Sequence, residues 1–212
     1  MAQQFTLQWN NASVLANPNA TAQTALYRQK SVGGAFISVG FTPTNPLAKT
    51  VNTVDSPNTL LDNVVYEFKV QSVCTLNGPV DNDNGVREII GFACITPTVT
   101  KGETQGTISL SVAGTDITKA RVTLRRSSDN SQVSQNIVNA VGNTISFTQT
   151  GLTAGTNYYW QVELYATING VEVISSDSNY LGSPCSPYAF ATDALAVCDP
   201  VTSLTVDSIE IV

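Results

Sequence analysis

Apolar and polar residues alternate one by one in several stretches of this chain. Two such series are Ile108, Leu110, Val112 and Ala120, Val122, Leu124. A period of two is that of a β-strand with one buried face. No long stretch has the three-to-four-residue spacing of an amphipathic helix. The pattern therefore predicts an all-β protein.

A strand-like segment occurs twice at a constant offset. Residues 66–78 align with residues 158–170, and the apolar positions of the two copies correspond. The matching pairs are Tyr66 with Tyr158, Phe68 with Trp160, Val70 with Val162, and Cys74 with Ala166. Both copies end in Asn-Gly, a strong signal for a tight turn after a strand. The repeat predicts two domains with the same strand pattern.

The leading tyrosine of each copy lies in a recognisable setting. A leucine stands six residues earlier, Leu60 before Tyr66 and Leu152 before Tyr158. This spacing resembles the tyrosine corner of fibronectin type III domains. The resemblance implies two tandem immunoglobulin-like β-sandwiches of that family. It also implies that each tyrosine ring enters the core while its hydroxyl bonds to nearby backbone.

Other segments are similar to the same family and suggest how the chain divides. Residues 5–9 look like strand B with Trp9 in the core, and residues 25–30 look like strand C. The first domain has no obvious strand A. The joint between the domains is short and contains Pro97, so we expect little freedom between them. The predicted divisions are residues 1–96, 97–200 and a C-terminal extra strand at 201–212.

The C-terminal segment alternates like a strand although no domain follows it in this sequence. Its apolar residues are Leu204, Val206, Ile209 and Ile211. An open strand edge is a template for pairing, and head-to-tail exchange of a strand would link copies of the chain. We therefore predict that residues 204–212 pair with the first strand of a first domain, in the same chain or preferably in a neighbouring copy, and pairing with a neighbour gives a homo-oligomer. The alternatives are a loose end, or a strand that completes its own second domain.

The composition disfavours two classes of partner. The net charge is −6 and the pI about 4.4, so the chain has no general attraction to nucleic acid or to anionic membranes. No apolar run approaches the ~18 residues that span a bilayer. The N-terminal residues of the sequence as given have neither a cationic nor an apolar signal region, which predicts synthesis in the cytoplasm.

The cysteines are Cys74, Cys94, Cys185 and Cys198, and the chain has no histidine. Without histidine or a Cys-x-x-Cys pair, no zinc site is predicted. In a reducing cytoplasm the expected state is four free thiols. Export would instead favour the pairs Cys74–Cys94 and Cys185–Cys198.

The same composition argues against catalysis. Imidazole-based triads are excluded, and the sixteen acidic residues are scattered rather than paired. We therefore predict no catalytic residues, no cofactor and no metal site. Residues 81–85, Asp-Asn-Asp-Asn-Gly, have oxygen ligands that suit calcium, but turn formation explains the same residue types.

Two further groups of residues are candidates for contacts with other proteins. The first lies in residues 178–190, which we interpret as an insertion in the loop between the last two strands of the second domain. Its apolar members are Tyr180, Leu181, Tyr188 and Phe190. The second is a row of cations on one strand, formed by Lys119, Arg121 and Arg125. This row is typical of a solvated outer face, and the alternative is a docking face for an acidic neighbour.

These features together predict a non-enzymatic protein that acts through protein–protein contacts. The first hypothesis is a bacteriophage virion structural protein, such as a neck, tail or capsid-decorating component. Such a protein is assembled in the host cytoplasm with other virion proteins or copies of itself. The alternative is a bacterial cell-surface or extracellular module that binds carbohydrate or protein. A carbohydrate-acting enzyme is kept as a third class, because carboxylates alone suffice for that chemistry.

Overall fold

A computed structural model describes residues 4–8, 20–42, 48–52, 60–74, 78–81 and 86–196. The first seven strands are β1 (Gln4–Gln8), β2 (Ala20–Gln29), β3 (Ile37–Thr42), β4 (Ala48–Asn52), β5 (Val65–Cys74), β6 (Gly78–Asp81) and β7 (Arg87–Ile90). The next eight are β8 (Thr98–Lys101), β9 (Gln105–Ser111), β10 (Lys119–Arg126), β11 (Gln132–Asn139), β12 (Thr144–Thr150), β13 (Asn157–Ile168), β14 (Val171–Ile174) and β15 (Cys185–Ala191).

Strands β1 to β7 pair only with one another in the described part of the chain, and they form two antiparallel sheets. One sheet consists of β1 and β4, and the other has the order β3-β2-β5-β6 with β7 also paired to β5. β1 covers most of the segment predicted as strand B, while Trp9 lies outside the described residues. The buried hydrophobic cluster of this part of the chain consists of Tyr27, Leu60, Val64, Tyr66 and Phe68.

Strands β8 to β15 form a second pair of antiparallel sheets. Their orders are β12-β9-β8 and β11-β10-β13-β14, with β15 also paired to β13. The two alternating series of the sequence are confirmed as β9 and β10, and their apolar members face inward. Trp160, Ile108 and Leu124 are fully buried there. The prediction of an all-β protein with two tandem immunoglobulin-like sandwiches is confirmed.

A buried tyrosine ties the preceding loop to the core of each sandwich. The Leu61 N–H donates to the Tyr66 hydroxyl oxygen over 3.0 Å, and the Thr153 N–H donates to the Tyr158 hydroxyl oxygen over 3.2 Å. Burial raises the pKa of Tyr66, although the bond from Leu61 acts in the opposite direction. The predicted tyrosine corner is confirmed in both copies.

The predicted insertion at residues 178–190 is only partly a loop. Its second half is β15, the last strand of the described part, which pairs with β13 along Tyr158 and Trp160. Tyr188 and Phe190 alternate with Ala189 and Ala191, which is a strand pattern. Pro184 and Pro187 favoured a loop in the sequence analysis. An edge strand tolerates proline, because the backbone groups on its open side need no partner strand.

An aromatic stack fixes β15 against the core. The ring of Phe190 stacks on Tyr158 at 5.8 Å and on Trp160 at 6.2 Å between centroids. On the facing sheet, Gly106 of β9 lies so close that a Cβ there would be 2.4 Å from Cζ of Phe190. Only glycine leaves room for this ring.

We predict that Tyr158→Phe lowers the free energy of unfolding by about 1 kcal/mol, because it removes one net hydrogen bond at the corner. Urea unfolding measures the difference. The control is Tyr165→Phe on the same strand, whose hydroxyl has no hydrogen-bond partner among the described residues. Equal losses in the two variants would contradict a specific role for the corner.

We predict that Gly106→Ala lowers the free energy of unfolding by ~1–3 kcal/mol, because the added methyl group overlaps a ring that is held from both sides. Gly102→Ala is the control, since its nearest neighbour is the side chain of Gln105 at 3.2 Å, which can move. Thermal unfolding of both variants checks this. A neutral Gly106→Ala would mean that the stack is looser than described.

Candidate functional site: the joint between the two sandwiches

The apolar core of the second sandwich continues into the first. Val65, Ile90 and Phe92 belong to the first sandwich and the segment after it, yet they lie in the same buried cluster as Ile117 and Ile168. Phe92 is fully buried. Contacts between neighbouring domains are usually more polar and permit motion. This shared cluster, together with the polar contacts around it, is called the joint below.

A disulfide bond crosses the joint. Cys94 follows β7, Cys185 begins β15, and their sulfur atoms are 2.06 Å apart. The expectation of free thiols is therefore wrong for these two residues, and so are the pairings Cys74–Cys94 and Cys185–Cys198. Those pairings assumed that each domain bridges its own strands, whereas the start of β15 lies beside the linker. The side chain of Cys74 and the whole of Cys198 lie outside the described part.

Aromatic side chains from the predicted insertion pack at the same place. Tyr180 meets Phe92 edge to face at 5.3 Å between centroids. The Tyr188 hydroxyl donates to the Ile95 carbonyl over 3.3 Å. Burial raises the pKa of both tyrosines. The segment thus lies over the linker.

Asn63 organises one side of the joint. Its amide group donates to the Ala93 carbonyl and accepts from the Ala93 N–H, both over 3.0 Å. Its backbone carbonyl accepts from the N–H of Asp116, in the turn before β10, over 2.9 Å. The Asp116 carboxylate in turn accepts from the Val65 N–H over 2.7 Å. Asn63 has φ of 61°, a conformation that asparagine adopts more readily than most residues.

Glu88 organises the other side. Its backbone N–H donates to the Asn169 side-chain oxygen over 3.3 Å, and its carboxylate accepts from the Asn169 N–H over 2.7 Å. Lys30 also donates to this carboxylate over 2.8 Å. Asn169 and Gly170 form the tight turn between β13 and β14, so the predicted Asn-Gly turn is confirmed here.

The environment of Glu88 favours its charged form. Burial acts to raise its pKa, but the hydrogen bonds from Lys30 and from the Asn169 N–H outweigh burial. The pKa of Glu88 therefore lies below the ordinary value of 4.5. Glu88 forms an ion pair with Lys30 of its own sandwich and accepts a charge-assisted hydrogen bond from the Asn169 N–H across the joint, and these two contacts together are called the ionic tie below.

The four apolar residues predicted as contacts are used largely inside the chain. Tyr180, Leu181, Tyr188 and Phe190 are partly buried and pack against the chain's own core. Their role in binding another protein stays a prediction. The joint residues Asn63, Glu88 and Asp116 were not predicted, because nothing in their local sequence distinguishes them from ordinary turn and edge residues. Asn169 was recognised only as a turn former.

The predicted cations all have partners within their own sheet. Lys119 pairs with Glu172 over 2.8 Å, and Arg125 donates to the Gln161 side chain over 2.8 Å. Arg121 holds Glu163 with two hydrogen bonds of 2.5 Å. An acidic partner protein would have to compete with these contacts.

Glu163, the partner of Arg121 on β13, is buried at 6% exposure. Burial acts to raise its pKa, but the bonds from Arg121 and from the Ser176 hydroxyl lower it below the ordinary value. The hydrogen bonds from Glu163 raise the pKa of Arg121. Both groups are therefore charged, and they neutralise each other on the sheet face.

The remaining candidates lie outside the described residues. These are Leu204, Val206, Ile209 and Ile211 of the C-terminal segment, and positions 82–85 of the acidic run. Within the described ranges, no three metal-binding side chains of Cys, Asp or Glu come together. In the same ranges, no helix has the length and hydropathy to cross a bilayer.

The comparisons with known proteins concern the fold. No family model and no curated protein matches the sequence. A two-domain fibronectin type III segment of chicken tenascin is similar in structure, with 11% identity over 81% of this chain and 90% of that chain, and a TM-score of 0.46. The chicken interferon gamma receptor alpha chain has 10% identity over 90% and 92%, with a TM-score of 0.43.

The arrangement of strands itself identifies the architecture. The orders β12-β9-β8 and β11-β10-β13-β15, with a tyrosine corner before β13, are those expected of the fibronectin type III sandwich. The fold is a tandem of fibronectin type III-like sandwiches. Because this fold serves many unrelated roles, the fold alone does not specify a function, and the joint and the surfaces are the features that bear on it.

We predict that Glu88→Gln lowers the free energy of unfolding by about 1 kcal/mol at neutral pH, since it removes a partly buried ionic tie. Because the folded pKa of Glu88 is depressed, its contribution is complete above 4.5 and is lost as the pH falls through the lower folded value. The difference in the free energy of unfolding between wild type and Glu88→Gln should therefore become smaller at acidic pH. Thermal unfolding between neutral pH and pH ~3 measures it.

The exposed Glu103→Gln is the control for this series, because Glu103 lies outside the joint. Glu163 is unchanged in wild type and in both variants, so the effect of its titration on stability is the same in all three and cancels when they are compared. A difference between wild type and Glu88→Gln that does not change with pH would contradict the ionic tie.

Proposed function

We propose that this chain is a non-enzymatic structural protein that acts through protein–protein contacts, with its two sandwiches held as one rigid unit. The joint is the observation that carries the proposal. It combines a shared apolar cluster, a disulfide bond, the hydrogen bonds of Asp116 with Asn63 and Val65, and the reciprocal hydrogen bonds between Glu88 and Asn169. A flexible pair of binding domains has no need of so many contacts.

A rigid unit is useful to a protein that positions its neighbours. Contacts made at the two ends of such a unit keep a fixed distance and direction, and binding then loses less conformational entropy. On the outer face of β10, Lys119 and Arg121 are neutralised by Glu172 and Glu163, and Arg125 is held by Gln161. This leaves loops, ends and strand edges as the places for contacts.

The setting that we propose first is a bacteriophage virion, in which the chain is a neck, tail or capsid-decorating component. Low charge and strands rich in polar uncharged residues suit a protein that is packed among other proteins. Its partners would be other virion proteins and copies of itself, and it would be assembled in the host cytoplasm.

One observation favours a second setting. The Cys94–Cys185 bond is of a kind that persists in oxidising surroundings and is rare in the cytoplasm. It supports the alternative of a bacterial cell-surface or extracellular module that binds carbohydrate or protein.

A count of free thiols distinguishes the two settings. Cells that make the protein are treated with an alkylating reagent before lysis, and the modified cysteines are mapped by mass spectrometry. Alkylation of all four cysteines means that the Cys94–Cys185 bond closes only after the cell is opened, which supports cytoplasmic assembly. A linked Cys94–Cys185 peptide, with at most Cys74 and Cys198 alkylated, means that the bond forms before lysis, which supports the exported module and contradicts the first setting.

Small-angle X-ray scattering tests the rigid unit. We expect one conformation of the two sandwiches to fit the wild-type curve, and Phe92→Ala to broaden the distribution of shapes because the joint loses its buried ring. Phe147→Ala is the control, since this ring packs on Trp160 inside the second sandwich. It should lower the melting temperature without changing the distribution. A wild type that already needs many conformations would overturn the proposal.

A further inference from the structure

Strand β8 is the one described strand that has no counterpart in the other sandwich. Strands β1 to β7 correspond in order and pairing to strands β9 to β15. β1 pairs with β4 as β9 pairs with β12, and the central pair β2–β5 corresponds to β10–β13. In the second sandwich, β8 pairs with the side of β9 that faces away from β12. No described strand holds the same place beside β1.

The open edge of β1 has no feature that blocks another strand. Its sequence is Gln-Phe-Thr-Leu-Gln, which contains neither a charged residue nor a proline. Its pairing with β4 runs from Gln4 to Gln8 without a register shift, so no bulge disturbs the ladder. Natural proteins usually protect open edges with charges, prolines or bulges, because such an edge is a template for pairing. The edge of β1 therefore suits an added strand.

The sequence after β15 is of the same kind as the sequence that supplies β8. Between β7 and β8 the chain contains Cys94 and then Pro97. After β15 it contains Cys198 and then Pro200, followed by the alternating apolar residues of 204–212. These nine residues are called the tail below. The tail thus has the sequence expected of a strand in the β8 position.

The chain leaves the second sandwich at the end opposite the joint. The Asp193 carbonyl accepts from the N–H of Gly155, just before β13 starts, over 3.0 Å. The Ala196 N–H donates to the Glu103 carboxylate over 3.2 Å. β13 ends at Ile168, which lies in the cluster of the joint. The exit and the joint are therefore separated by the length of β13, about 36 Å for its 12 residues.

This separation excludes pairing of the tail with β1 of its own chain. Residues 197–203 connect Ala196 to the tail, and a fully extended chain of that length spans at most about 29 Å. The first sandwich lies beyond the joint, so the connection is too short to bring the tail there. Pairing with β1 therefore requires a second copy.

We propose that the tail occupies the β8 position of a second copy, antiparallel to β1 of that copy. It would complete a three-stranded sheet like β12-β9-β8. The second copy is then attached to the second sandwich in the way that the second sandwich is attached to the first. Apolar side chains of the tail would face that copy's core, as Val99 of β8 packs against the core of its own sandwich.

The tail's own second sandwich does not offer it the same place. β8 already pairs with β9 from Thr98 to Lys101. The outer side of β8 carries the Lys101–Asp193 ion pair, and β15 carries Pro187. Charges and prolines of this kind disfavour a further strand.

The contact that results is heterologous, because each copy gives a tail and accepts one at a different surface. Such contacts build open chains or rings. The inference rests on the proposed function, since it names the partner surface for one of its protein–protein contacts. The two fail separately, because a flexible joint would leave the tail paired, and a monomeric chain would leave the joint rigid.

Sedimentation velocity from low micromolar to submillimolar concentration tests the pairing. We expect wild type to form oligomers that grow with concentration. The double variant Val206→Pro, Asp207→Pro should raise the dissociation constant at least ~tenfold, because adjacent prolines remove a ladder donor whichever of the two residues faces β1. Neither residue belongs to a described strand, so both sandwiches are expected to stay folded.

The control is Thr202→Pro, Ser203→Pro, which places the same two prolines before the tail. It should associate like wild type, since a proline-rich connection stays extended. A wild type that remains monomeric at the highest concentration would overturn the proposal. Association that the prolines at 206 and 207 leave unchanged would do the same.

A photochemical cross-link locates the partner strand. The full chain carries p-benzoylphenylalanine in place of Ser208, and isotope-labelled and unlabelled copies are mixed before irradiation. Peptide mapping should find position 208 linked to residues 4–8, in pairs that join a labelled to an unlabelled chain. The same group in place of Val171, which is 63% exposed on β14, is the control and should not reach residues 4–8. Links from position 208 only to its own second sandwich would overturn the proposal.

Discussion

The burial of Phe92 is the interaction on which the rest of the joint depends. Its ring extends the core of the second sandwich to the first and excludes water from the contact. In such surroundings the hydrogen bonds of the buried Asn63 are stronger than they would be at an open surface. Without the shared cluster the same groups would bond to water. For this reason we propose that the two sandwiches form one mechanical unit.

Much of the fold follows from local pattern. Alternation over residues 108–112 and 120–124 predicted β9 and β10, because a strand with one buried face needs that period. The spacing of Leu152 and Tyr158 predicted the corner, since both residues lie within one loop. Such features depend only on residues that are close together in the sequence, so the sequence alone is enough to predict them.

The joint could not be predicted in the same way. Cys94 and Cys185 are 91 residues apart, and their meeting depends on how two finished sandwiches pack. The prolines around β15 favoured a loop, although the alternation of Tyr188 and Phe190 with alanine was a usable signal. Nothing in the local sequence distinguishes Glu88, and the Asn-Gly signal at Asn169 indicates only a turn. Their roles arise only when a hairpin tip reaches a strand of the other sandwich.

The cystine at the joint also changes what a protease can do. The chain between Cys94 and Cys185 contains strands β8 to β14, so nearly all of the second sandwich lies within one covalent ring. A single cut in any exposed turn of that ring opens it without releasing a fragment. The nicked molecule keeps its mass and both of its ends until the sulfur bond is reduced. Damage to one loop therefore leaves all parts of the chain covalently joined.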